Sequence, residues 1–147
     1  MFLFLFVFLV ACFYAAWKGG APERLTAAIF AAGLAATVLL RAPYSTRFGT
    51  IDMGMFFADF AMLAGLVLVA LYAERFWPIW ISAFQVIQVL SHLPELLIPH
   101  LLPQAYLVIV SVWAYPMLFM LMIATLRHQR RLRQNGIDRS WSASSLG

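Results

Sequence analysis

Five long apolar runs, parted by short polar or proline-bearing joints, constrain this chain more than any other feature. They cover residues 1–17, 25–40, 51–73, 76–93 and 104–126. Crossing the hydrocarbon of a bilayer takes roughly 17–25 residues of helix, so the third and fifth runs are long enough on their own. The second is short and is extended to residues 24–41 by Arg24 and Arg41, whose stems can snorkel to the interface. The runs are continuous rather than alternating, which predicts helices and not barrel strands. With 64% hydrophobic and 11% charged residues and a mean hydropathy of +0.87, the chain lacks the polar surface of a soluble domain. The expected fold is therefore an all-α integral membrane protein, a compact bundle of five transmembrane helices over residues 1–126.

Charge sets the threading. Of ten Lys and Arg, Lys18, Arg24, Arg75, Arg127, Arg130, Arg131, Arg133 and Arg139 fall on one side, leaving Arg41 and Arg47 on the other. Basic residues stay cytoplasmic, so the N-terminus is expected outside and the C-terminus inside. Residues 127–147 then form a basic cytoplasmic tail, with Gly136 a natural helix stop and the serine-rich end unstructured. Arg127, Arg130, Arg131 and Arg133 are the expected contacts to anionic lipid headgroups. Five arginines in a tail do not make the basic face that nucleic acid requires, so no nucleic-acid partner is expected. "LVAC" at residues 9–12 resembles a lipoprotein cleavage box, but no basic residue precedes it and "FYAAW" continues the helix, so an unlipidated chain is expected.

Helices in lipid associate through small residues and interhelical hydrogen bonds. Ala28, Ala32 and Ala36 line one face of the second run, and Gly54, Ala58, Ala61 and Gly65 one face of the third; these stripes are expected to meet. In the fifth run, Pro116 removes a backbone donor and predicts a kink near the middle.

The residues that could carry chemistry lie in "SAFQVIQVLSHLPELLIPHLLP", residues 82–103. Ser82, Gln85, Gln88 and His92 recur at helical spacing and form one polar stripe. Pro94 ends the helix, and the three prolines of residues 94–103 suit an interfacial wedge. Asp59 lies about two turns into the third run, roughly 10 Å deep. Counting inward along the neighbouring runs brings Gln88 and Ser111 to the same level, with Asp52 and His92 nearer the outer surface. A carboxylate in the membrane marks internal pairing or function. The cluster therefore reads either as interhelical glue, with Asp59 bonded to Gln88 and Ser111, or as a proton or ion relay or polar pocket. The first makes the chain an accessory or scaffolding subunit, the second an oligomeric small transporter or proton-handling protein. A quinone-, lipid- or haem-binding protein is a third, weaker reading.

No nucleophile–base pair, phosphate loop or cofactor fingerprint appears, so no catalytic residue is assigned. Haem would need a histidine facing His92 from another helix, and Pro94 interrupts the His92–Glu95 spacing, so neither cofactor nor metal is expected. The single cysteine, Cys12, allows no internal disulfide. Membrane lipids and further copies or other subunits are the expected partners.

"GGAPER" at residues 19–24, "RFWPIW" at 75–80 and "RHQRRLRQNGIDRSW" at 127–141 together resemble the uncharacterised small multi-span inner-membrane proteins of sphingomonad-type alphaproteobacteria. The resemblance implies a bacterial inner-membrane location and brings no activity with it.

Overall fold

The computed structural model describes residues 2–40, 53–92, 112–138 and 141; Asp52, Ser111 and the wedge at 94–103 lie outside them. The described residues form five helices: α1 (Phe2–Lys18), α2 (Ala21–Leu40), α3 (Met53–Tyr72), α4 (Trp77–Leu90) and α5 (Ala114–Asn135). One isolated antiparallel bridge, Ala73 with Trp141, is added beside them.

Local chemistry sets the helix ends. Gly19 and Gly20 break α1 from α2, and the Gly20 carbonyl accepts the first helical bond from Arg24 N–H at 3.0 Å. Pro22 and Pro78 sit in the first turns of α2 and α4, where a missing N–H costs nothing and the fixed φ suits a helix. Gly136 closes α5 in the left-handed region, φ 71°, and its N–H returns to the Leu132 carbonyl. Pro116 lies in the first turn of the described α5 rather than at a mid-helix kink. Trp113, just before that helix, is a turn, and Pro116 has no N–H for the Val112 carbonyl one turn back.

Successive helices pack on one another, and α5 closes the bundle by touching α1, α2 and α4. Ile81, Leu66, Leu118 and Leu121 are the large apolar side chains sealed in the middle, with Ala11 and Ala15 letting α1 approach. The contact between α2 and α3 differs from the expected one. Ala28, Ala32 and Ala61 are exposed; Ala58 is buried, and Ala36, Gly54 and Gly65 are half-buried. The close approach runs instead through Ile29 and Gly33 of α2 against Met62 and Gly65 of α3. A Cβ on Gly65 would stand 3.2 Å from Ile29 Cδ1, and one on Gly33 2.5 Å from Met62 Sδ. Small residues at i, i+4 mark a face but not the direction it looks.

Two helices, over Ala21–Leu39 and Gly54–Tyr72, are long and apolar enough to cross a membrane; α1 and α4 are shorter apolar helices. Only 17% of the α3 window is buried, where the core helix of a soluble protein would be mostly covered. Phe57, Phe60, Leu68 and Leu71 of that helix point outward.

The tightest turn is at Gly19, where a Cβ would lie 2.3 Å from the Ala15 carbonyl oxygen and 2.6 Å from Glu23 Cβ. Backbone cannot yield as a side-chain tip can. Gly19→Ala is expected to destabilise the bundle by about 1–3 kcal/mol, the range for overpacking. Ala28→Leu, on an exposed face, stays within about 0.5 kcal/mol. Thermal melting of the purified variants in detergent checks both.

Candidate functional site

α3 and α4 run antiparallel, joined by residues 73–76, and their contact holds the most polar part of the bundle. Side chains on a helix tilt toward its N-terminus while carbonyls point toward its C-terminus. Asp59 therefore presents its carboxyl to one level of α4 and its backbone carbonyl to a deeper one. His92, just past the Ser91 cap of α4, meets the carboxyl: Nε2 lies 2.8 Å from Oδ2. Gln85, two turns earlier on α4, donates its amide N–H to the Asp59 carbonyl at 3.0 Å. One residue of α3 is thus gripped twice by α4.

The grip is enclosed. Gln85 is 0% exposed and His92 1%, while the Asp59 side chain keeps 14%. The Phe56 ring stands edge-on to the His92 imidazole, at 6.0 Å and 87° between planes. His92 Nε2 and Asp59 Oδ2 stand at hydrogen-bond distance. Either the imidazole N–H donates to a carboxylate, or a protonated carboxyl donates to the imidazole nitrogen, in the same geometry.

The expected Asp59–Gln88 bond is not made. Level-counting along straight helices put Gln88 opposite Asp59, but the tilt of the side chain lifts the carboxyl past it to His92. Gln88 is buried nonetheless, and its Oε1, like that of Gln85, has no hydrogen-bond donor among the described residues. Asp52 and Ser111 lie outside the described residues. Ser82 turns its hydroxyl to the Pro78 carbonyl at 2.9 Å, a bond within its own helix.

A second polar centre, at the opposite end of the bundle, went unread in the sequence. Asp138, beyond the Gly136 cap, accepts from Arg75 Nη2 at 2.6 Å and contacts His128 Nδ1 at 2.6 Å, with Arg131 Nε at 3.6 Å. Gln129 donates to the Lys18 carbonyl nearby. The first part of the basic tail continues α5 to Asn135, where Gly136 stops it, and Asp138 just beyond is tied by Arg75 to the residues that follow α3. Arg131, expected on lipid headgroups, faces Asp138. An acid set among five arginines was the available signal. Burial pushes the Asp138 carboxyl up, but hydrogen bonds from Arg75 and His128 and the charges of Arg75 and Arg131 outweigh it, holding its pKa below the usual carboxylate value.

The described residues contain no group of three His, Cys, Asp or Glu placed to hold a metal ion. A groove of about 500 Å³ between Phe6 and Val10 of α1 and Pro116 and Phe119 of α5 is lined by apolar side chains and Tyr115. Comparison with known proteins gives no matching family model, no similar curated protein and no similar solved structure.

Two measurements probe these centres. A double-mutant cycle on Asp59→Asn and His92→Gln is expected to show a coupling of about 0.5–2 kcal/mol, the range for polar contacts between membrane helices. For Asp138, a lowered folded pKa means that the folded state favours the ionised form. Its stabilising contribution is present above the unfolded pKa of about 4 and is lost as pH falls through the folded value. The gap in melting temperature between the native protein and Asp138→Asn should be full at pH 7 and shrink on acidification below about pH 4.

Proposed function

We propose that this chain is a five-span bacterial inner-membrane protein, N-terminus outside and C-terminus inside, acting as an accessory or scaffolding subunit. The threading draws support from charge. Lys18, Arg24, Arg75, Arg127, Arg130, Arg131 and Arg133, all the described basic residues, gather where the α1–α2 and α3–α4 turns meet the end of α5. That is the side expected to face the cytoplasm. The exterior agrees: Phe2, Phe6, Phe13, Phe57, Leu68 and Leu71 look outward while Asp59, Gln85 and His92 look inward, the pattern of a bundle solvated by lipid. α4, 14 residues and about 21 Å of helix, spans with help from the residues that follow it.

The observation that carries the scaffold reading is the double grip on Asp59. A residue fixed by both its carboxyl and its carbonyl to one neighbouring helix behaves as a tie, and an inward tie leaves the apolar outer faces free to meet partner subunits. Homo- or hetero-oligomers with lipid between them follow from it. A second reading, proton handling, is favoured by one feature. The tie is an acid–base pair rather than two amides, and the Gln85 and Gln88 carbonyl oxygens beside it await donors such as water.

One experiment separates the two. Asn keeps an acceptor and gains a donor but cannot release a proton at physiological pH. As scaffold, Asp59→Asn retains most of its stability and co-purifies with the same stoichiometric partners in mild detergent. As proton handler, it keeps the fold but loses pH-driven flux in proteoliposomes that the native protein supports. Native protein with neither partner nor flux would overturn both. A reporter fused after Arg133 is expected to read cytoplasmic, and a periplasmic reading ends the five-span threading.

A further inference from the structure

Glu23 is the least explained side chain in the bundle. It is 1% exposed, in the first turn of α2, and neither carboxyl oxygen has a hydrogen-bond partner among the described residues. Protonation does not resolve this, because a neutral carboxyl still carries an O–H with no acceptor. A buried carboxyl lacking both donor and acceptor calls for something that supplies them.

The space beside it is defined. Gly20 has no side chain, and a Cβ there would stand 3.0 Å from Glu23 Oε2, 2.9 Å from His128 Cε1 and 3.2 Å from His128 Nδ1. A methyl there would overlap both groups, so the bare glycine lets the carboxylate and the imidazole edge close on one spot. Two fully buried hydroxyls lie on the same faces. Thr26 is one turn along α2 from Glu23, and Thr125 is one turn before His128 on α5, which touches α2. Each hydroxyl donates to a carbonyl of its own helix, Thr26 to Pro22 and Thr125 to Leu121, both at 2.9 Å. Their remaining lone pairs are acceptors only.

We infer that this end of the bundle binds a monovalent alkali cation, held by the Glu23 carboxylate with the Thr26 and Thr125 hydroxyl oxygens. Hard oxygen donors suit alkali and alkaline-earth ions. One negative charge among neutral oxygens balances a single positive charge, and among the described residues no group of three His, Cys, Asp or Glu is placed to hold a divalent ion. Of the other charged groups at this end, Arg75, His128 and Arg131 face Asp138, and Arg24 donates from Nε to the Gly19 carbonyl at 3.0 Å. Lys18, Arg127, Arg130 and Arg133 are exposed, and among the described residues no cationic side chain makes an ion pair with Glu23. The site is independent of the Asp59–His92 pair and stands or falls apart from the function proposed for it.

The test is thermal unfolding of the purified chain in detergent at pH 8, in sodium, potassium or choline chloride at matched ionic strength. A saturable rise in melting temperature with sodium or potassium over choline is expected. Glu23→Gln should abolish the cation-specific rise. Thr26→Val, which keeps the shape and removes one oxygen, should raise the half-saturating concentration about tenfold or more and serves alone if Glu23→Gln does not fold. Equal melting in all three salts overturns the assignment, as does a cation-specific rise that survives Glu23→Gln or is unmoved by Thr26→Val.

Discussion

A bundle that turns its phenyl and leucyl side chains outward has no solvent to satisfy the polar groups it turns inward. A buried donor or acceptor that its own helix leaves unpaired must look to a neighbouring helix, and the geometry of helices decides which partner is in reach. Asp59 illustrates the rule. Its carbonyl points one way along α3 and its carboxyl the other, so Gln85 and His92, a full two turns apart on α4, both close on the same residue. That arrangement fixes the vertical register of α3 against α4. The register in turn brings the α3–α4 turn level with the end of α5, where Arg75 reaches Asp138.

The two polar centres solve different problems. Near one end, an acid, a base and two amides sit within an otherwise apolar contact, and the acid and base stand at hydrogen-bond distance from each other. At the other end, guanidinium, imidazole and carboxylate gather where three chain segments converge. There Asp138 accepts from the Arg75 guanidinium, contacts His128 and lies near the charge of Arg131, the setting that holds its pKa below the usual carboxylate value despite burial. Between the centres the buried polar side chains Ser82, Thr26 and Thr125 satisfy their hydroxyls locally, each on the carbonyl one turn back. They ask nothing of neighbouring helices and place no demand on register.

The all-helical build and the five elements could be read from the apolar runs, because a continuous run of that length has few alternatives. The polar stripe Gln85–Gln88–His92 and its link to Asp59 could be read from spacing and depth. The partner within the stripe could not, since a count of Cα levels omits the tilt of side chains that carries the Asp59 carboxyl to His92. The small-residue stripe failed for a related reason: in a helix apolar all round, Ala28 and Ala32 carry no mark of which face looks inward, and Gly33 opposite Met62 breaks the four-residue spacing. Glu23 and Asp138 were passed over because each stands among arginines at a run's edge, where a sequence reads topology before contact. Only the folded chain brings residue 23 beside residue 128.

The stitch at Asp138 also orders events in time. Its acceptor oxygens lie on residue 138, while the donor Arg75 belongs to the third connection and the packed surface of α5 is made by α1, α2 and α4. Ribosomal synthesis delivers these pieces from first to last. Helices α1 to α4 are therefore made while Arg75 still lacks the Asp138 carboxylate. The last helix to be made packs against α1, α2 and α4, and the link beyond Gly136 needs that helix in place. A chain ending before α5 thus retains the α3–α4 tie and the α2–α3 contact and lacks the closure that α5 makes against α1, α2 and α4.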